Sequence, residues 1–286
     1  YPAYQSQEID LSPSPGGEID NKDPYLVNYT STLNGHEWIV PLESVTRLGA
    51  QSSLDISVSA TDDSNNFYIS GRINGDYDTT TTIGYPYVNF LFESMVSSLY
   101  GYVKYDDNGS LLHNVGIHVQ DINTGDNSSM TIESMEVDSA ENVYLVGTYS
   151  GRLHWAPLYN FPSLYNSVDW TYNSLFILKY DASGNPVSAI SLEGGSDSSN
   201  ITCRDIAVSN SGEIYITGSF DGQFDMNPSA GVLNIETPLS SSGESMFIAK
   251  YDAAGNLVYA NAIRGTDDQF QTGISLFIES NSNITL

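Results

Sequence analysis

Three stretches of this chain superpose on one another, and that self-similarity restricts the fold more than any other feature. The segments Asn66-Phe-Tyr-Ile-Ser-Gly71, Asn142-Val-Tyr-Leu-Val-Gly147 and Glu213-Ile-Tyr-Ile-Thr-Gly218 share one pattern. Each is followed by a second shared segment: Tyr102-Val-Lys-Tyr-Asp106, Ile177-Leu-Lys-Tyr-Asp181 and Ile248-Ala-Lys-Tyr-Asp252. The glycines stand 76 and 71 residues apart, and nine of twelve positions are identical between Phe176–Val187 and Phe247–Val258. Short runs rich in Val, Ile, Ala and Tyr read as strands, and helix caps and helical periodicity are absent.

Each unit reads as four short strands, labelled a to d. In the third unit strand a is Asp205–Ser209, b is Glu213–Ser219, c is Met246–Tyr251 and d is Leu257–Ile263. The c–d turns Asp106-Asp-Asn-Gly109, Asp181-Ala-Ser-Gly-Asn185 and Asp252-Ala-Ala-Gly-Asn256 place glycine where a hairpin needs positive φ. Four strands in roughly 72 residues is the pattern of a β-propeller blade. The expected fold is therefore all-β, a propeller of four-stranded antiparallel blades, with three full and two half blades here. An extended, Pro-rich segment at 1–24 precedes a half blade at 25–53. Full blades span 54–131, 132–202 and 203–272, and another begins at 273–286. The first half blade supplies strands c (Tyr25–Thr30) and d (Glu37–Leu42), and the last supplies a (Ser275–Glu279) and b (Asn283–Leu286). Two arrangements are open: the terminal halves share one blade of a four-bladed ring, or further blades complete a larger one.

The repeat resembles the secreted bacterial β-propeller repeats called SBBP repeats. It does so through Glu213–Gly218, Phe220-Asp-Gly-Gln-Phe-Asp225 and Lys250–Leu257. The resemblance covers about residues 54–286 and implies a propeller fold and an extracellular setting; it implies no activity. The second unit departs from the pattern, with Arg152 and His154 where the others carry polar or acidic residues.

Charge narrows the partners. Nine basic residues against 35 acidic ones give a net charge of −26, which excludes the basic footprint that nucleic acid or an anionic membrane surface requires. No run of apolar residues is long enough to span a membrane. The single cysteine, Cys203, excludes an intrachain disulfide framework. Tyr1 in place of an initiator Met, together with Asn-x-Ser/Thr sequons, leads to the expectation of a secreted or cell-surface protein. Asn108, Asn127 and Asn200 are the candidate glycosylation sites, in turns and loops.

Lys104, Lys179 and Lys250 occupy one slot of the repeat and read as scaffold, laying their stems on the neighbouring blade and pairing acids. Tyr105, Tyr180 and Tyr251 read as inter-blade packing residues with a polar tip. The turn aspartates read as turn formers; no cofactor is expected, beyond calcium held loosely by the acidic surface. Asp76 and Asp78 with Asp221 and Asp225 are the better-placed acidic pairs. The four histidines fall in no metal-binding spacing, and no nucleophile elbow or phosphate loop occurs, so the chain is read as a non-enzyme. The long b–c connections hold the most room for function. Their aromatics Tyr85, Tyr87, Trp155, Tyr159, Trp170 and Tyr172 are the candidate ligand contacts, by stacking on sugar rings or by meeting a protein partner. The expected function is a structural or adhesive module that presents these loops to a protein partner or an assembly. The alternative is a polysaccharide-binding propeller, and a glycan-active enzyme stands behind both.

Overall fold

The computed structural model describes residues 25–29, 36–41, 53–74, 80–83, 88–91, 98–120, 129–156, 161–165, 173–193, 200–229, 231–237, 244–263, 275–278 and 284–285. These residues form twenty-two strands and no helix. β1 (Tyr25–Tyr29) pairs with β2 (His36–Pro41). The first full unit contains β3 (Ser53–Thr61), β4 (Phe67–Asn74), β7 (Ser98–Tyr105) and β8 (Leu111–Gln120), paired in that order. Its b–c connection carries a hairpin of β5 (Thr80–Ile83) and β6 (Val88–Leu91). The second unit is β9 (Ser129–Val137), β10 (Val143–Ser150), β13 (Ser174–Tyr180) and β14 (Pro186–Leu192), with β11 (Arg152–His154) and β12 (Leu164–Tyr165) between b and c. The third is β15 (Asn200–Val208), β16 (Ile214–Asp221), β19 (Ser245–Tyr251) and β20 (Leu257–Ile263), with the hairpin β17 (Gln223–Asp225) and β18 (Asn234–Glu236). A last pair joins β21 (Phe277–Ile278) to β22 (Ile284–Thr285).

The expected four-stranded antiparallel sheets are present in the expected order, with two differences. The b–c connections, read as loops, each contain a two-stranded hairpin. Strand a of the third unit begins at Asn200, not Asp205, so Asn200 opens a strand and Cys203 lies inside it. A β-bulge explains why the alternation there was illegible. Partners shift between Cys203 and Asp205, leaving Arg204 as the extra residue. The same bulge recurs in the other units, at Ser57 between Ile56 and Val58, and at Glu133 between Ile132 and Ser134. It breaks the period of two at mid-strand.

The bulge also accounts for the glycine of each strand b. Gly71, Gly147 and Gly218 sit opposite it, where the opposing backbone presses close. A Cβ on Gly147 would stand 1.9 Å from the Thr131 carbonyl oxygen, and one on Gly218 would stand 2.0 Å from that of Thr202. Phe176 and Phe247 on strand c cover these two glycines.

Both hairpins of every unit use one five-residue turn. The amide of its first residue donates to the carbonyl four residues on, as in Asp62 to Asn66, Asp181 to Asn185 and Ser209 to Glu213, and that first residue is an aspartate in all but the a–b turn of the third unit. The aspartate Oδ1 accepts the amides two and four residues on, and Ser209 Oγ accepts the Glu213 amide at 3.1 Å. The fourth turn residue takes positive φ. It is glycine at Gly109, Gly184, Gly212 and Gly255, but Asn65 and Glu141 adopt it with φ of 61°. The carboxylates of Asp62, Asp106, Asp138, Asp181 and Asp252 are thus engaged by their own turns.

Successive sheets pack through strand a, β9 lying beside β3, β15 beside β9 and β21 beside β15. Tyr144, Val146, Leu175 and Ile177 of the second unit share one core with Ile201, Cys203, Ile206 and Phe220 of the third. At about 1.5–3 kcal/mol for each large apolar side chain buried, these junctions hold the chain together.

Candidate functional site

The repeated lysines and tyrosines assemble the platform from which the b–c hairpins project. Register pairs Tyr68 with Lys104, Tyr144 with Lys179 and Tyr215 with Lys250. Each ammonium lies over its tyrosine ring, at 5.1, 5.0 and 5.0 Å from the centroid, a cation–π contact repeated three times. Lys104 Nζ stands 3.8 Å from Asp62 of its own unit and crosses to the second unit, where it donates to Glu141 Oε2 at 2.5 Å. Lys250 pairs within its own unit with Glu213, at 2.7 Å. Hydrogen bonding to Glu213 and Tyr215 holds the Lys250 ammonium well above its ordinary range.

The following tyrosine anchors the hairpin. Tyr180 Oη donates to the Trp155 carbonyl at 2.7 Å, and Tyr251 Oη donates to the Met226 carbonyl at 2.9 Å. Trp155 and Met226 hold the same place after their strand-b glycines, so the polar tip read from sequence serves one purpose twice. Burial drives the Tyr180 and Tyr251 hydroxyls far above their ordinary range, keeping them protonated donors.

Trp155 is therefore a core residue. It is 3% exposed, its Nε1 donates to the Pro162 carbonyl at 3.0 Å, and its ring meets Phe161 and Tyr180 at centroid distances of 5.0 and 6.2 Å. No ring face is left for a sugar, which corrects its reading as a ligand contact. Tyr85, Tyr87, Tyr159, Trp170 and Tyr172 lie outside the described residues. So do Asp76 and Asp78, and the sequon at Asn127. Asn108 is exposed on the c–d turn, its Nδ2 donating to Asp107 at 2.7 Å. Asn200 is exposed at the start of β15, opposite Asp221. Asp225 is committed to its own hairpin, its Oδ1 accepting the amides of Asn227 and Leu233 at 3.0 and 2.9 Å.

The departure at Arg152 and His154 has a structural role. β11 leaves its own sheet and pairs with β8 of the first unit, Arg152 opposite Gln120 and His154 opposite His118. The second unit's hairpin thereby caps the edge strand of the unit before it. The third hairpin pairs β17 with β18. Phe224, Met226 and Ile235 are buried beneath it, while Val232 at its tip is 73% exposed.

A second group of side chains, missed from sequence, lies where the a strands meet. Asp205 Oδ1 accepts from Ser134 Oγ of β9 and from the Ile206 amide, both at 2.9 Å. Its Oδ2 accepts from Ser275 Oγ at 3.0 Å and the Leu276 amide at 2.7 Å. One carboxylate thus stitches three successive a strands. Its signal was a charged residue at a slot that Val58 and Ser134 fill in the other units. Nearby, burial pushes the Glu136 carboxyl up to about 7, reinforced by the charge of Asp205. Burial pushes Glu133 to about 7 as well, against the pull of Arg204, the Cys203 amide and the Thr148 hydroxyl. Among the described residues no three His, Cys, Asp or Glu side chains come together as a metal-binding group.

These two glutamates set a pH dependence. Their folded pKa lies above the unfolded value near 4.5, so the folded state binds more protons between about pH 4.5 and 7. Their destabilisation is fully present above pH 7 and fades as pH falls through that window. The expected result is a thermal midpoint that rises from pH 8 to pH 5.5, and a Glu136→Gln variant that is more stable than the parent at pH 8 but not at pH 5. A midpoint that falls on acidification over that range contradicts it.

No protein-family model and no curated protein matches the chain. Among solved structures it is similar to a protein of unknown function from Bacteroides caccae, at 9% identity and a TM-score of 0.24, over 84% of this chain and 94% of that one. A likeness of that size carries no argument about either fold or activity.

Proposed function

We propose that the sheets are blades of a β-propeller of the SBBP-repeat kind, working outside the cell as a structural or adhesive module. Its b–c hairpins meet a protein partner or further copies in an assembly. The observation that supports this is a division of labour inside the repeat. What the units share is structural: the glycine facing the bulge and the lysine on its tyrosine, with the following tyrosine anchoring the hairpin carbonyl in the second and third. What they vary is the hairpin itself, rich in aromatics in the first two units and ending in exposed Val232 in the third. A rigid frame carrying variable projections suits recognition. Burial of Trp155 weakens the polysaccharide alternative.

Adhesion of the protein to cells or matrix of its own source tests the reading. Val232 and Leu233 are exposed at the hairpin tip, so Val232→Ser with Leu233→Ser is expected to lower retention several-fold while leaving the unfolding midpoint unchanged. Equal retention by parent, variant and an unrelated acidic protein would overturn it.

A further inference from the structure

β8 meets the second unit through His113, a side chain the other units do not share. Register sets His113 opposite Lys104, where the second unit sets Ser188 opposite Lys179 and the third sets Tyr259 opposite Lys250. The imidazole stands edge-on to Tyr102, at a centroid distance of 5.7 Å. The c–d turn of the second unit closes over it. A Cβ on Gly184 would lie 2.8 Å from His113 Cδ2 and 3.1 Å from Nε2. Nε2 is buried and has no hydrogen-bond partner among the described residues.

Lys104, Asp181 and Glu141 are the charges that face this ring. Lys104 lies beside it on β7, Asp181 opens the turn that covers it, and Glu141 receives the Lys104 ammonium from the second unit's a–b turn. Burial, reinforced by Lys104 and opposed by Asp181 and Glu141, lowers the imidazole to about 4. A second proton would place a buried cation beside Lys104, with Nε2 facing no acceptor among the described residues.

The junction between the second and third units is built from groups of the opposite kind. Glu136 of β9 feels the charge of Asp205 on β15, and Glu133 lies against Arg204 and the Cys203 amide of the same strand. Both carboxyls are easier to bury protonated than charged.

We propose that the two junctions form a pH-sensitive switch, in which acid opens the first–second junction at His113 while it tightens the second–third junction at Glu133 and Glu136. His113 takes a proton more readily once its junction opens, between a folded value of about 4 and an ordinary value of 6.5. Its contribution to closure is fully present above pH 6.5 and is lost as pH falls toward 4. From pH 7 to pH 5 the open fraction of that junction rises about twentyfold. The glutamates instead take protons in the closed form between about pH 4.5 and 7, so the open fraction of their junction falls over the same range. Two carboxyls outweigh one imidazole in the midpoint of the whole chain, so the switch is visible only junction by junction. β8 also pairs with β11 of the second unit. Opening therefore bares an edge strand of the first sheet, a template for pairing that is offered in acid.

Thiol labelling reads each junction in the full-length chain. Cys203, buried in the core shared by the second and third units, reports that junction in the native protein. Val115→Cys with Cys203→Ala reports the other, since Val115 packs beside Gly184 of the second unit. Labelling rates with a dithiodipyridine, divided by those of a free thiol at the same pH, are the measurement. Between pH 7 and pH 5 the Val115→Cys rate is expected to rise about twentyfold and that of native Cys203 to fall. Adding His113→Ser, the residue the second unit carries at this slot, or His113→Asn is expected to hold the rise below about threefold. A rate that does not rise, or a rise that survives both substitutions, overturns the proposal. So does one common pH dependence at the two thiols, which means that the chain opens as a whole.

Discussion

Gly218→Ala is expected to remove most of the stability of the third unit, by more than about 3 kcal/mol, within the range of the severe backbone and packing lesions. The added methyl would lie 2.0 Å from the Thr202 carbonyl oxygen, 2.9 Å from Cys203 Cα and 3.0 Å from a Phe247 ring carbon. Two of these three neighbours are backbone atoms in a bulged strand, so relief requires the strand to separate from its partner. Gly147→Ala is expected to do the same to the second unit through Thr131 and Phe176. Gly231 is the contrasting case. There a Cβ would meet only the Asn227 side chain, at 2.5 Å, and the end of a flexible, half-buried side chain gives way where backbone cannot. Thermal unfolding of the three variants is the measurement. A Gly218→Ala protein that melts within two or three degrees of Gly231→Ala would show that the bulge is not held against strand b as described.

Lys104→Met is expected to destabilise by about 3 kcal/mol, as when one partner of a buried ion pair is removed, while Lys250→Met costs under about 1 kcal/mol, as for a pair open to solvent. The two lysines are indistinguishable in the repeat, but their surroundings differ. The Lys104 and Asp62 side chains are 3% and 2% exposed, whereas those of Lys250 and Glu213 are 18% and 33% exposed. Lys104 also joins two units through Glu141, so its loss loosens a junction between sheets as well as one hairpin. Burial pulls the Asp62 carboxyl upward, but hydrogen bonds from Asn66, Tyr68 and Ser64 outweigh it and leave it below the usual carboxylate range. That carboxylate stays charged when the lysine is gone, which is the origin of the cost. Chemical denaturation of both variants compares them directly, and equal losses would sink the argument.

Much of the architecture was legible because a repeat turns one reading into three. Strands b, c and d and their Gly- or Asn-containing turns came from short runs of β-branched and aromatic residues and from turn chemistry, both local. The lysines, expected to lie on the neighbouring blade, cover the strand-b tyrosines of their own units, a pairing not read from the sequence. Strand a was harder, because a bulge at Ser57, Glu133 or Arg204 breaks the alternation that marks a strand. Its cause lies in packing against the neighbouring strand, and nothing local encodes it. The short hairpins between b and c were missed for a similar reason. β11 is three residues long and exists because β8 of another unit offers an open edge.

The candidate site divides along the same line. Aromatic composition identified the b–c connections as places of interest, but only three-dimensional packing decided that Trp155 faces inward, where the Tyr180 hydroxyl holds its carbonyl. Asp205 became notable only when two other units delivered Ser134 and Ser275 to its carboxylate. The chain by itself determined the unit, its length, its strand order and its acidity, because these depend on neighbours in sequence. Tertiary structure alone decided which of three equivalent lysines is buried and which glutamates are pushed to about 7. Both follow from tertiary structure because burial and desolvation depend on what another unit brings to the same place.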